Sequence, residues 1–299
     1  MAKRKNLEDT EGAEDAEDVK MKATDSDSDS DSEDMDTVNV DFEMFDPQPA
    51  HDFHGLKTLL RQLFDVDSTL FDISALTELI LSQPLLGTTV KVDGNESDPY
   101  AFLTVLNMQE HADKPVIKEL ANYILSRSKP THPLHAKLEK LLSPTAEGHT
   151  GLILTERLIN VPTEIVPPMY KMLLEEITWA IEDNEPYKFT NFIILSKTYT
   201  EIPSKLDDLE ARPMKKGKKA GRAGKASKEI FYFHPEDEIV QRKAEAWASF
   251  RYVKEQDERV ADSKRAFQSF GIMPQGHMIL VAKEELPGVV GDLEGMFQE

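Results

Sequence analysis

Apolar residues in this chain fall into short periodic runs that begin near residue 38 and continue almost to the end. Alternation at Val38, Val40 and Phe42 within VNVDFEMFDP predicts a strand over 38–47. Leu56, Leu59, Leu60 and Leu63 recur at helical spacing, so 53–64 reads as a helix with Asp52 as its N-cap. Ser74 is expected to cap a second helix, ALTELILSQ, which stops before Pro84. Two strand-like pieces, LLGTTVKVDG and PYAFLTVLNM, flank the turn-rich DGNESDP. Helices are predicted over 115–128 and in LHAKLEKLLS. A strand follows at 151–158, then a helix over 167–183 opened by Pro167–Pro168. Phe189 to Thr200 is the most apolar strand. Beyond it come EIFYFH, a helix starting in HPEDEIVQRKAEA with acids in its first turn, the strands WASFRYV and MPQGHMILVAKEE, and a short terminal helix. Trp179 and Trp247 are expected in the core. Helices and strands interleave throughout, which implies one α/β domain over 38–299.

Two segments break the pattern. Residues 1–37 hold almost no apolar side chains and include DSDSDSDSED, so they are expected to form a disordered acidic tail. Thr24, Ser26, Ser28 and Ser30 each have an acid three residues later, which suits an acidophilic kinase of the casein-kinase-two type. An unmodified solubilising tail is the alternative. The second segment, at about 205–228, is expected to be a flexible loop between two strands. Within it RPMKKGKKAGRAGKASK (212–228) carries eight basic side chains and no acid.

Charge sharpens this division. The 299 residues carry a formal net charge of −20. Residues 8–36 hold fourteen acids against Lys20 and Lys22, a net of −12, while 1–7 carry +3 and the basic tract +8. Subtracting these three segments leaves −19 for the remainder, so the folded part is itself acidic. Such a surface repels phosphate backbones and attracts basic proteins. The basic tract is open to three readings: a nuclear-import signal built on Lys215, Lys216, Lys218, Lys219 and Arg222, a direct nucleic-acid contact, or a solvated loop. No aromatic residue lies in the tract to stack on a base, so direct nucleic-acid binding is not expected. Lys3, Arg4 and Lys5 form a second candidate import element.

Candidate chemistry is sparse. The chain has no cysteine, which excludes disulfides, thiolate nucleophiles and sulfur-ligated zinc. The longest apolar runs fall far short of the roughly 20 residues needed to span a bilayer, and no secretory h-region follows the N-terminus, so a soluble intracellular protein without membrane insertion is expected. Phosphate-loop, dinucleotide and nucleophile-elbow motifs are absent, and a Ser–His–acid triad cannot be read from scattered residues. The pairs His51/His54 and His132/His135 have helical spacing but sit in contexts expected to be exposed, so no metal site is expected.

The block GLILTERLINVPTEIVPPMYKML (Gly151–Leu173) resembles the BCCIP family, eukaryotic nuclear proteins with fungal and animal members. VNVDFEMFDP, DFHGLKTLLRQLF, ILSKTY and FHPEDEIVQRKAEAWASFRY follow in the family's order, so the resemblance covers about 38–285. Glu156, Arg157, Asn160, Pro162, Pro168, Met169 and Tyr170 carry the central block. Glu156 and Arg157 either form a buried pair or touch a partner. The resemblance implies a fold similar to the GNAT acetyltransferases, a central mixed sheet with helices on both sides, without acetylating activity and without a cofactor. The coenzyme A loop [RQ]-x-x-G-x-[GA] is approached only at Gln268–Met273, where Met273 breaks it. The resemblance further implies a non-enzymatic nuclear chaperone and transport adaptor that shuttles between nucleus and cytoplasm. Its implied partners are a newly made basic ribosomal protein of the large subunit (universal type fourteen), the importin and exportin machinery, and a phosphoinositide kinase linked to actin and vesicle traffic. The alternatives are an acyl-coenzyme A enzyme on the same scaffold and a nucleic-acid binder working through the basic tract.

Overall fold

The computed structural model describes residues 40–83, 86–202, 229–254 and 271–297. The chain divides into Met1–Asn39 and Val40–Glu299, and every described residue belongs to the second unit. Lys3, Arg4, Lys5, Thr24, Ser26, Ser28, Ser30, Val38 and the tract with Lys215, Lys216, Lys218, Lys219 and Arg222 lie outside the described residues.

The described strands are β1 (Glu43–Phe45), β2 (Thr88–Lys91), β3 (Ala101–Asn107), β4 (His149–Arg157), β5 (Phe189–Glu201), β6 (Phe231–Tyr232), β7 (Ala246–Phe250) and β8 (Ile272–Ala282). They form one mixed sheet in the order β1-β2-β3-β4-β5-β8-β7, with β6 joined to β5 off this path. Only β4 and β5 run parallel, the crossover between them being a helix. The helices are α1 (Phe53–Phe64), α2 (Ile73–Leu81), α3 (Pro115–Ser128), α4 (His132–Leu141), α5 (Val166–Glu182), α6 (Glu236–Arg242) and α7 (Leu286–Gly295).

Helices cover both faces of the sheet. On one face Leu56, Leu60 and Leu63 of α1, with residues of α2, α3 and α4, pack on Leu152, Leu154, Ile193 and Leu195. On the other, Tyr170, Leu173 and Ile177 of α5 and Val289 and Leu293 of α7 pack on Val105, Ile153, Ile194 and Ile279. This two-sided burial explains why every residue of β3 is buried and why the middle of β5, Phe192–Leu195, is a continuous apolar run. Each fully buried leucine, such as Leu56 or Leu60, contributes roughly 1.5–3 kcal/mol of transfer free energy.

The two caps expected from sequence both differ. Asp72, not Ser74, caps α2, accepting from the Ala75 N–H at 3.0 Å, and Ser74 instead receives the Lys57 ammonium at 2.7 Å. Asp52 occupies the α1 N-cap position, but its carboxylate is used elsewhere. Oδ2 accepts from the Gln48 N–H at 2.7 Å and Oδ1 sits 2.6 Å from Lys91 Nζ, with both side chains fully buried. Lys91 also reaches the Asn95 carbonyl at 2.5 Å, so one ion pair fixes the start of α1, β2 and the β2–β3 turn together. Gly55 lets the turn approach: a Cβ there would overlap the Pro99 ring.

Candidate functional site

The parallel pairing of β4 and β5 runs only to Leu154↔Leu195. Past that point β6 takes the edge of β5 that β4 leaves, pairing at Thr198↔Tyr232 and Tyr199↔Phe231. The two parallel strands therefore diverge, and the fork between them is filled by the segment from His234 to Asp237 that opens α6.

Alternation along the strands directs charge to both faces of the fork. On the α1 face, Glu156 meets Lys197 at 2.6 Å, His234 Nε2 at 2.8 Å and the Gln62 amide at 3.1 Å. Lys197 also donates to the Gln62 carbonyl at 3.1 Å. On the α5 face, the Arg157 guanidinium donates two bonds to Glu236, at 3.2 and 3.0 Å, and a third to the Val161 carbonyl at 3.0 Å. Ser196 donates to Asp237 beside them. Three acids and three bases are thus buried together: Glu156, Glu236 and Asp237 with Arg157, Lys197 and His234. Glu156 and Arg157, adjacent in the chain, do not pair through their side chains; each is buried against a partner from elsewhere.

Protonation follows from this packing. Burial works to raise Glu156, but the hydrogen bond from His234 and the Lys197 charge outweigh it and hold the carboxyl below its ordinary value. Burial works to lower His234, yet the bond to Glu156 wins and raises it. Asp237 is pushed up to about 7, chiefly by burial. The cluster closes on itself electrically, with its charged groups facing one another and not solvent.

A polar row lies next to it on the α5 face. Thr198 Oγ1 donates to Ser249 Oγ at 3.2 Å, and Ser249 Oγ is 2.9 Å from His277 Nδ1. His277 is fully buried beneath the rings of Tyr232 and Trp247, and burial pushes it down to about 4. Serine, histidine and acid therefore meet here, but not as a relay: Asp237 binds Ser196, while His277 binds Ser249. Among the described residues no group of His, Asp and Glu is placed to hold a metal ion. His51, His54 and His132 are exposed, whereas His135 is half-buried between Ser128 and Glu139.

The rest of the sequence-derived block divides between core and surface. Met169 and Tyr170 are buried in the α5 face of the core. Asn160, Pro162 and Pro168 are exposed. Between β4 and α5, Leu158–Val161 form a turn closed by the Val161 N–H on the Leu158 carbonyl at 3.0 Å. Ile159 stands at its tip, 91% exposed. Trp179 and Trp247 are not core residues, being 57% and 39% exposed. Trp179 falls on the outer side of α5, away from Tyr170, Leu173 and Ile177, and Trp247 lies on the edge strand β7. Sequence reasoning missed Lys197, His234, Glu236 and Asp237. HPEDE looks like a solvated helix start, and only the divergence of β4 from β5 shows that it is buried.

The BCCIP family model matches residues 37–240. The chain belongs to the BCCIP family. It is 58% identical to Protein bcp1 of Aspergillus fumigatus over 98% of this chain and 97% of that one. It is 51% identical to Protein bcp1 of Schizosaccharomyces pombe over 86% and 90%. The crystal structure of BCP1 from Saccharomyces cerevisiae superposes with a TM-score of 0.60 at 27% identity, covering 90% of this chain and 93% of that one. The BCCIP match therefore spans the strands that form the fork and the α6 segment that fills it.

Proposed function

We propose that this BCCIP-family protein is a non-enzymatic nuclear chaperone and transport adaptor on a GNAT-like scaffold. It holds a newly made basic large-subunit ribosomal protein, of universal type fourteen, until hand-over to the pre-ribosome. It shuttles between nucleus and cytoplasm by importin and exportin contacts, and through a phosphoinositide kinase it supports actin organisation and vesicular transport. The observation that carries the client reading is the charge: −20 for the chain, with the buried bases of the fork already committed to buried acids. Exposed acids are left to set the outer field, which steers a basic client and weakens with salt.

Two observations weigh against the acyl-coenzyme A alternative. The fork between the parallel strands is filled by the protein's own side chains. The described end of the sequence closest to a pyrophosphate cradle, Gly271–Met273, leads into β8, where Ile272 and Met273 pair with Glu201 and Thr200 instead of opening a helix. Calorimetry with acetyl-coenzyme A and, separately, with the ribosomal protein tests the choice. Heat from the ribosomal protein alone is expected; micromolar binding of acetyl-coenzyme A would overturn the non-enzymatic reading.

A further inference from the structure

One end of the sheet combines exposed apolar side chains with acids in a way that the fork does not explain. The register Glu43↔Lys91 puts Asp41 and Phe42 beyond the end of β2, beside the β2–β3 turn. Phe42 and Tyr100 meet edge to face with ring centroids 6.4 Å apart. The Tyr100 carbonyl accepts from the Leu158 N–H at 2.9 Å, which brings the Ile159 turn to the same end. Phe42, Tyr100 and Leu158 are only half-buried, and Val40 and Ile159 are 41% and 91% exposed. A row of apolar groups thus crosses from β1 to the turn after β4.

Acids border this row without exposed bases among them. Asp41, Glu43, Asp93, Glu96 and Asp98 are all exposed, and no lysine or arginine occurs in residues 40–46 or 92–100. The neighbouring bases are spent internally, Lys91 on Asp52 and Arg157 on Glu236. β1 ends the strand order, and its outer side pairs with no strand among the described residues, an edge of the kind to which an extended chain can add. The acids on that edge oppose pairing with a second copy of this acidic chain and favour a basic one. Both turns are tied to buried bases: Lys91 donates to the Asn95 carbonyl in the β2–β3 turn and Arg157 donates to the Val161 carbonyl at the end of the Ile159 turn. Such ties lower the ordering cost of binding at the tip.

We propose that this sheet end is a docking surface for a basic protein segment, with Ile159 as its apolar anchor and Asp93, Glu96 and Asp98 as its charge-selective border. The inference rests on the basic-client reading and gives that client a place to bind.

The test is fluorescence anisotropy on the full-length protein with two probes, labelled ribosomal protein and labelled decalysine, against Ile159→Asp and the triple variant Asp93→Asn/Glu96→Gln/Asp98→Asn. All four positions are exposed, and unchanged circular dichroism and urea midpoints serve as the fold control. Ile159→Asp is expected to weaken the ribosomal protein about tenfold, as for an interface anchor. The triple variant should weaken both probes and flatten the salt dependence. Full-strength binding of the ribosomal protein by both variants would overturn the surface and leave the client reading standing. Decalysine bound through the acids with no binding of the ribosomal protein would keep a basic-segment surface and remove that client. Binding of neither probe by the unaltered protein would overturn both.

Discussion

Lys197→Met tests the filled fork most sharply. Lys197 Nζ lies 2.6 Å from Glu156 Oε2, and their side chains are 11% and 0% exposed. At an effective dielectric of about 20 the gross attraction at this distance is roughly 6 kcal/mol, most of which offsets the desolvation of the two charges. Removing one partner forfeits the attraction without returning the other to water, which costs about 3–5 kcal/mol. Lys197→Met leaves Glu156 with His234 and Gln62, whereas Glu156→Gln removes the negative charge paired with the ammonium and leaves it neutral partners such as the Gln62 carbonyl and the Phe233 ring. Both single variants should lose stability of that order. The double variant Glu156→Gln/Lys197→Met should lose less than the sum by roughly 1–3 kcal/mol, because the second change removes a charge that the first had orphaned. Urea unfolding followed by tryptophan fluorescence reads all three. The exposed ion pair Arg242–Glu238 is the control, and Arg242→Ala should leave the midpoint unchanged. Single variants within about 0.5 kcal/mol of the parent, or strictly additive losses, would refute a coupled buried pair.

Further outcomes follow from the same geometry. His277 is held at about 4, below its ordinary 6.5, so the unfolded chain binds its proton first. Its contribution is present above 6.5 and falls by about 3 kcal/mol as pH drops toward 4; His277→Gln should flatten this limb in pH-dependent urea titrations. Asp237, raised to about 7, has the opposite sign: its contribution is present at acid pH and lost as pH rises through about 7, and Asp237→Asn should remove that loss. Gly55→Ala should cost about 1–3 kcal/mol by thermal unfolding, because its new methyl meets the Pro99 ring. Deleting 213–228 should leave the unfolding midpoint unchanged and shift a fluorescent fusion toward the cytoplasm; undiminished nuclear accumulation would remove the import role of the tract.

Periodicity was sufficient for elements whose signal is local. The stripe of Leu56, Leu59, Leu60 and Leu63 marks α1, and Pro115 opens α3 at the expected residue. The caps failed because a carboxylate can serve a distant partner: nothing near Asp52 in sequence announces Lys91. The fork was illegible for the same reason. Glu156 finds Lys197 and His234 at separations that only the parallel β4–β5 pairing and its divergence create. Family resemblance pointed to Glu156 and Arg157, but not to what they touch, and it left Ile159, the exposed residue of the same block, unremarked. Tryptophan burial went wrong because size favours the core on average, while Trp179 and Trp247 sit on an outer helix face and an edge strand.

The basic-client reading stands or falls on a single preparation. The protein is co-expressed with this organism's own universal type fourteen ribosomal protein and run on size exclusion at about 0.15 M and about 0.5 M salt. A soluble one-to-one complex at the lower salt that weakens at the higher is the expected result. A client that precipitates alone, with its partner eluting unbound, would contradict it.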